Sequence, residues 1–216
     1  MSNASLYVSG LNGFVGSNLK MHLSKKYNIF EYKRSHSEIK IFSPCVIHLA
    51  GKSGDNKNPS NIEDFYESNT ELTKHIFDAF LESDAKIFIT LSSVKAVSEE
   101  LSEELTEDHF QSPLTHYGKS KLLAEKYILS KEIPPLKRVF ILRPCVIHGP
   151  GNKGNLNLLY NLVSKGIPWP LGAYENKRSF CSIDNLMFII GELIERQDIP
   201  SGIYNIADDV PISTND

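Results

Sequence analysis

The 216-residue sequence predicts an α/β fold: a doubly wound parallel sheet with helices on both faces and a small C-terminal lobe. Three observations predict it. Short apolar runs alternate with amphipathic stretches at helical spacing, the pattern of consecutive βα units. A glycine triplet stands between the first apolar run and the first amphipathic stretch. The run CVIHLA at 45–50 is apolar enough to be buried on both faces, as a central parallel strand is. Right-handed crossovers between such strands then wind the sheet in both directions.

The elements follow in order. Residues 5–9 (SLYVS) form a first strand. Residues 14–26 form a helix, with Phe14, Val15, Leu19 and Leu23 on one face. Residues 28–33 (NIFEYK) form a second strand and 45–50 a third. Residues 62–81 form one long helix carrying Phe65, Leu72, Ile76, Phe77 and Phe80. Residues 86–91 (KIFITL) form a fourth strand, 117–129 a helix, and 138–142 (RVFIL) a fifth strand. After Arg143 the rhythm changes: loops rich in Gly, Pro and Asn precede a strand at 179–183, a helix from Asp184 and a short strand at 204–207. This reads as a smaller lobe built on the same sheet, within about 144–216 of a single domain spanning 1–216.

Composition narrows the function. Hydrophobic residues make up 41% and charged residues 23%, near the average for a globular chain. A net charge of −3 supplies no electrostatic footprint for nucleic acid. No apolar run is long enough to span a bilayer, and no basic segment precedes an apolar stretch at the start. The three cysteines, Cys45, Cys145 and Cys181, lie in apolar, strand-like contexts and read as reduced core thiols. The expected location is the cytoplasm, with neither membrane nor nucleic acid as partner.

Gly10, Gly13 and Gly16 form G-x-x-G-x-x-G between a strand and a helix, a variant of the dinucleotide fingerprint. One glycine allows the turn, one lets the backbone approach a pyrophosphate, and one lets helix and strand pack closely. The helix N-terminus adds free N–H groups and a favourable dipole. In such a site an acid about 20 residues on binds the adenosine ribose. Here the strand ends on Lys33 and Arg34, with Glu31 in mid-strand, where it should not reach the ribose. Guanidinium suits a 2′-phosphate, so the cofactor is expected to be NADP or NAD, with NADP favoured. A solvated basic strand end is the alternative reading of Lys33 and Arg34.

Tyr117 and Lys121 form Y-x-x-x-K at the start of a helix, on one face. An ammonium beside a phenol favours the phenolate, which can exchange a proton with a substrate hydroxyl while hydride moves to or from nicotinamide. Ser92 and Ser93 end the fourth strand, at the carboxyl edge where open α/β sheets bind ligands. His48, in an apolar strand, reads as a satisfied core histidine. No Cys or His partner stands at ligand spacing, so no metal site is expected. His116 reads as a loop residue, His148 equally as lining the cleft or as an ordinary loop residue, and the acidic run 99–108 as a solvated loop or helix.

These residues carry a resemblance. GLNGFVG, VIHLAG (46–51), Asn69-Thr70, LSSVKAV (91–97), YGKSK, LRPCVIHGPGNKGN (142–155), NKRSFCSIDNL (176–186) and GIYNIADD (202–209) occur in family-like order. The chain resembles the extended short-chain dehydrogenase/reductases, in their nucleotide-sugar epimerase/dehydratase group, over nearly its whole length. The resemblance implies a Rossmann-like fold. It implies that Gly10, Gly13, Phe14, Val15 and Gly16 line the pyrophosphate, and that Leu49, Ala50 and Gly51 run along the cofactor. Asn69 and Ser92 would make cofactor-side contacts, and Arg143 would flank the nicotinamide. Ser93 would be the catalytic hydroxyl and touch substrate, Tyr117 the acid/base, and Lys121 the ligand of the nicotinamide ribose. Asn155 and Arg178 would hold a nucleotide sugar, taken to be UDP-linked, Arg178 through its diphosphate. The implied activity is a 4-epimerase or 4-reductase of nucleotide-linked hexoses. Val94-Lys95 replace the Asp-Glu pair of the dehydratases, which argues against dehydration. The resemblance also implies a homodimer through the helices at 62–81 and 117–129, and relatives that run on past the last residue here, as though the substrate lobe were truncated. A non-catalytic redox sensor of the same fold is the alternative.

Overall fold

The computed structural model describes residues 4–33, 39–53, 62–99, 103–152, 160–161, 163–166 and 176–213. Six parallel strands form the main sheet: β1 (Ser5–Ser9), β2 (Asn28–Glu31), β3 (Cys45–His48), β4 (Ile87–Leu91), β5 (Arg138–Pro144) and β8 (Gly202–Ile206). Their order is β2-β1-β3-β4-β5-β8. The chain leaves β1 for β2 on one side and returns to β3 on the other. The crevice beyond the carboxyl ends of β1 and β3 is therefore the topological switch point, where such sheets bind ligands.

Period-2 alternation sorts the core into two layers. Leu6, Val8, Cys45, Ile47, Ile87, Ile89, Phe140 and Leu142 face α1 (Phe14–Leu23) and α5 (Ile183–Glu195). Tyr7, Val46, Phe88, Val139 and Ile141 face α3 (Leu72–Glu82) and α4 (His116–Leu129). Phe77, Phe80 and Phe88 cluster at the centre of that second layer, with ring centroids 4.9–5.8 Å apart. The Lys137 ammonium closes the end of α3 by donating to the carbonyls of Phe80, Ser83 and Ala85.

Three sequence expectations need correction. The second strand stops at Glu31 rather than at Lys33, so Glu31 is its last residue. The single helix expected over 62–81 is α2 (Ile62–Phe65), a π-helical segment (Tyr66–Glu71) and α3. The C-terminal strands do not all join the main sheet. β8 extends it beside β5, whereas β6 (Val146–His148) and β7 (Phe180–Ser182) pair with each other in a separate two-stranded sheet. Among the described residues, no helix is long and apolar enough to cross a membrane.

Candidate active site

The glycine loop turns directly above the switch point, and its three glycines have separable reasons to be glycine. Gly10 has φ +80°, and a Cβ there would lie 2.6 Å from the Ala50 nitrogen, so the loop seats against the turn after β3. A Cβ on Gly16 would lie 2.1 Å from the Gly10 carbonyl oxygen, so α1 packs hard onto the loop. A Cβ on Gly13 would meet only the Gly10 oxygen, at 3.3 Å. Nothing else in the described chain requires glycine at 13, which suits a position kept clear for a ligand. Gly13 is also the N-cap of α1, with no side-chain cap and no acid in the first turn. The first N–H groups of α1, beside the half-buried Phe14 and Val15, are thus left for an anion.

Glu31 reaches this loop: its carboxylate accepts from the Asn12 side-chain amide at 3.1 Å. The sequence expectation that Glu31 lies mid-strand is corrected by the early end of β2. Lys33 is exposed in the following loop, and Arg34 lies outside the described residues.

The opposite wall is the turn Leu49-Ala50-Gly51, braced from below by a directional chain of hydrogen bonds. The Thr73 hydroxyl donates to the Asn69 carbonyl (2.7 Å), so its oxygen is left to accept from His48 Nε2 (2.9 Å). His48 Nδ1 then accepts from the Ser9 hydroxyl (2.6 Å), whose oxygen accepts the Ala50 N–H (3.2 Å). His48 is buried and fully engaged, as expected of a core histidine. Asn69, in the π segment, accepts from the Lys52 N–H (2.9 Å) and donates to the Lys52 carbonyl and the Ser120 hydroxyl (both 3.0 Å). The Thr70 hydroxyl adds a bond to the Ser120 carbonyl. These contacts fix the widened turn and tie β3, the π segment and α4 together.

Tyr117 opens α4. Thr115 caps the helix by accepting from the Gly118 N–H (3.1 Å), and Glu99 accepts from the Leu114 and Thr115 N–H groups and the Thr115 hydroxyl. Burial works against the Glu99 carboxylate, but these hydrogen bonds overcome it and hold its pKa below the usual range. A Cβ on Gly118 would lie 2.2 Å from the Lys95 carbonyl oxygen. Glycine there seats the first turn of α4 on the 3-10 turn Val94–Ala96, which Ser93 caps by accepting from the Lys95 N–H at 3.2 Å. Tyr117 is thereby carried to the Ser93 segment. Its ring stands edge-on to Phe65 at 6.4 Å, and the Lys52 ammonium, paired with Asp64 at 2.5 Å, lies over the Phe65 ring.

Lys121 is one turn on and nearly buried. Its ammonium donates to the Leu91 carbonyl (2.8 Å) and lies 3.2 Å from where a Gly51 Cβ would be. Burial pushes its pKa down to about 8, against the opposing pull of Glu125. A cation held at this cost should weaken the fold. With a folded pKa near 8 against an ordinary 10.5, the penalty is complete below pH 8 and fades as pH rises to 10.5. Lys121→Met is therefore expected to raise Tm at pH 7, with the gain shrinking across that window in thermal melts.

Two expected cofactor contacts turn inward instead. The Ser92 hydroxyl donates to Glu125. Arg143 is fully buried, with its guanidinium on the Glu125 carboxylate (2.6–3.2 Å) and the Glu107 carbonyl (3.1 Å). Both side chains are buried, each on a buried partner. The acidic run is also more than a solvated loop: Glu99 clamps α4, and Glu107 and Leu105 accept from the Asn205 backbone and side chain.

On the far side, the loop after β6 leans on the glycine motif. The Pro150 carbonyl accepts from Asn18 (3.4 Å), and Gly151 lies next to Phe14. His148 is half-exposed and turned toward Asp208 (3.4 Å). Arg178 is exposed and bridges Ile212, two residues before Phe180, which pairs with Val146 just beyond β5. Asn155 lies outside the described residues. All three cysteines are free thiols, and burial pushes Cys45 and Cys181 up to about 12. Among the described residues, no group of three or more His, Cys, Asp or Glu could hold a metal ion.

A family model described as the NAD dependent epimerase/dehydratase family matches residues 6–207. A UDP-glucose 4-epimerase of Vibrio cholerae is 31% identical, over 97% of this chain and 72% of its own length. The UDP-glucuronic acid 4-epimerase of Bacillus cereus, solved with NAD, superimposes with a TM-score of 0.79 at 20% identity, over 97% of this chain and 79% of that one. Human epimerase family protein SDR39U1, solved with NADPH, gives a TM-score of 0.83 at 17% identity, over 98% and 76%.

Proposed function

Because the chain belongs to the NAD-dependent epimerase/dehydratase family, we propose that it transfers hydride at C4 of a UDP-linked hexose, as a 4-epimerase. The observation that carries this reading is the placement of Tyr117 and Lys121. They share one face of α4, at the carboxyl edge of the sheet, with the Lys121 ammonium against the Gly51–Asn69 wall across from the glycine loop. The sequence relative named as a UDP-glucose 4-epimerase favours epimerisation over reduction of a 4-keto sugar.

The donor set fits a dinucleotide. Gly13 leaves space, the N-terminus of α1 offers uncapped N–H groups, and Leu49, Ala50 and Gly51 form a smooth opposite wall. When bound, nicotinamide would accept and return the hydride. Tyr117 would take the C4 hydroxyl proton, its phenolate form favoured by the Lys121 cation. Ser93 would hold the same oxygen by hydrogen bond. Tyr117 would then give the proton back to the C4 oxygen, completing the epimer with no net oxidation. Arg178, with Asn155, would hold the nucleotide diphosphate. A homodimer through α3 and α4 belongs to the same reading, supported by the exposed Leu123 and Leu129 on α4.

The test is interconversion of UDP-hexoses without net consumption of NAD. Reduction of a 4-keto-6-deoxy nucleotide sugar by NADPH in its place would make the protein a 4-reductase, and binding without either reaction would leave the sensor alternative. Gly13→Val presses its Cβ only on the Gly10 carbonyl oxygen, at 3.3 Å; it should stay folded by circular dichroism and abolish dinucleotide binding in equilibrium titration. Retained affinity would move the site elsewhere.

The cofactor preference reverses the sequence expectation. Glu31 at the end of β2, bonded to the glycine loop, can accept the ribose hydroxyls and would repel a 2′-phosphate. NAD is expected to bind more tightly than NADP, and Glu31→Ser to narrow the gap. Equal or tighter NADP binding by the unaltered protein would restore the reading from Lys33 and Arg34.

A further inference from the structure

Beneath the Tyr117–Lys121 pair lies a buried ionic cluster that the proposed reaction does not use directly. Glu125 is one turn beyond Lys121 on α4 and 2% exposed, and its partner Arg143 is 0% exposed. Lys121 and Glu125 line the same small cavity, of about 10 Å³, together with Thr73, Thr90 and Ser92. Among the described residues, the hydrogen-bond acceptor of the ammonium is a neutral carbonyl, that of Leu91. We propose that Glu125 is a positioning residue that holds Lys121 in its cationic form, and through it makes the Tyr117 phenol acidic enough to act. This rests on the hydride-transfer reading for its catalytic meaning, but the charge relation itself does not.

The groups around the ammonium support the assignment. From β4 it meets the Leu91 carbonyl, and Thr90 and Ser92 line the cavity that the Lys121 side chain shares. From the turn after β3 it meets Gly51, whose neighbour Lys52 is turned away onto Asp64. The π segment presents the neutral Asn69 amide, and α3 lines the cavity with Thr73, whose hydroxyl is bonded to His48 behind it. Among the described residues these leave Tyr117 and Glu125, both on α4, as the ionisable groups along its face, with Arg143 standing on the far side of Glu125. A buried ammonium without a nearby carboxylate sheds its proton readily. The effect of Glu125 on Lys121 is accordingly to raise its pKa against burial. The Ser92 hydroxyl and the Arg143 fork fix the carboxylate in place, and Ser92 ties it to the strand end that carries Ser93.

The test reads Lys121 directly, by NMR titration of protein labelled with ¹³C at the lysine ε-carbon, with the Lys121 signal assigned by Lys121→Arg. In the unaltered protein the midpoint is expected near pH 8. In Glu125→Gln it should fall by about one pH unit, the scale of a lost neighbouring charge. Since that variant leaves Arg143 without its partner, Glu125→Leu/Arg143→Met is the second arm. It removes both charges and should lower the midpoint as well. In enzyme active on a UDP-hexose, the alkaline limb of the pH–rate profile should move down with it, which a merely structural role for Glu125 would not produce. A Lys121 midpoint unchanged in a folded variant of either kind overturns the proposal. If the midpoint falls but no turnover is found, the charge relation stands and the reaction assigned above is what fails.

Discussion

Tyr117→Phe is expected to cost about 10²–10⁴-fold in the catalytic step, the usual contribution of general acid–base catalysis, while leaving cofactor binding in place. The substitution removes one oxygen and keeps the ring. The contacts that seat the ring survive, because the edge-on packing on Phe65 and the seating of Gly118 on Lys95 do not involve the hydroxyl. The Lys121 ammonium keeps its bond to the Leu91 carbonyl. Lost with the hydroxyl is the group that moves the C4 proton, so kcat should fall and KM change little. Rapid-mixing measurement of nicotinamide reduction in a single turnover isolates the step. A variant that kept full activity would remove Tyr117 from the mechanism. A variant that lost dinucleotide affinity in proportion would make it a binding residue.

The sheet was legible in the sequence because its strands are short, apolar and separated by helical stretches, and packing on both faces enforces that pattern. The glycine triplet was legible for a similar reason: each glycine answers a steric demand local to a strand–turn–helix unit. What escaped depends on contacts distant in sequence. Glu31 read as mid-strand because NIFEYK is apolar enough to continue, but pairing with β1 ends at Val8↔Glu31. The π segment left no periodic signal, since a widened turn is paid for by Asn69 and Thr70 bonding to Lys52 and Ser120. Ser92 and Arg143 stand in motifs that suggest a cleft, and only the fold reveals Glu125 between them. A glutamate at i+4 from the motif lysine was the available signal, because a charge on the lysine face of a buried helix needs a partner.

The largest stability effect is expected at that partner. Arg143→Met should destabilise the protein by about 3–5 kcal/mol, the cost of stranding one member of a buried ion pair. The loss comes from Glu125, left at 2% exposure without its guanidinium fork and with the Ser92 hydroxyl as its remaining described hydrogen-bond donor, and from the Glu107 carbonyl, which loses its guanidinium donor. Methionine fills much of the arginine stem's volume, so a cavity contributes little. The converse change, Glu125→Leu, strands the guanidinium and should cost a similar amount. The double variant Glu125→Leu/Arg143→Met removes both charges at once. Such replacements are often neutral or stabilising, because the pair's mutual attraction scarcely exceeds what its burial cost. The double variant should therefore recover most of the stability that either single change loses. Urea midpoints for the four proteins close the cycle. If the two losses simply add, Glu125 and Arg143 are not energetically coupled, and their contact is incidental to the fold. If stability returns while activity does not, the pair was retained for the charge it places beside Lys121 rather than for holding α4 to the sheet.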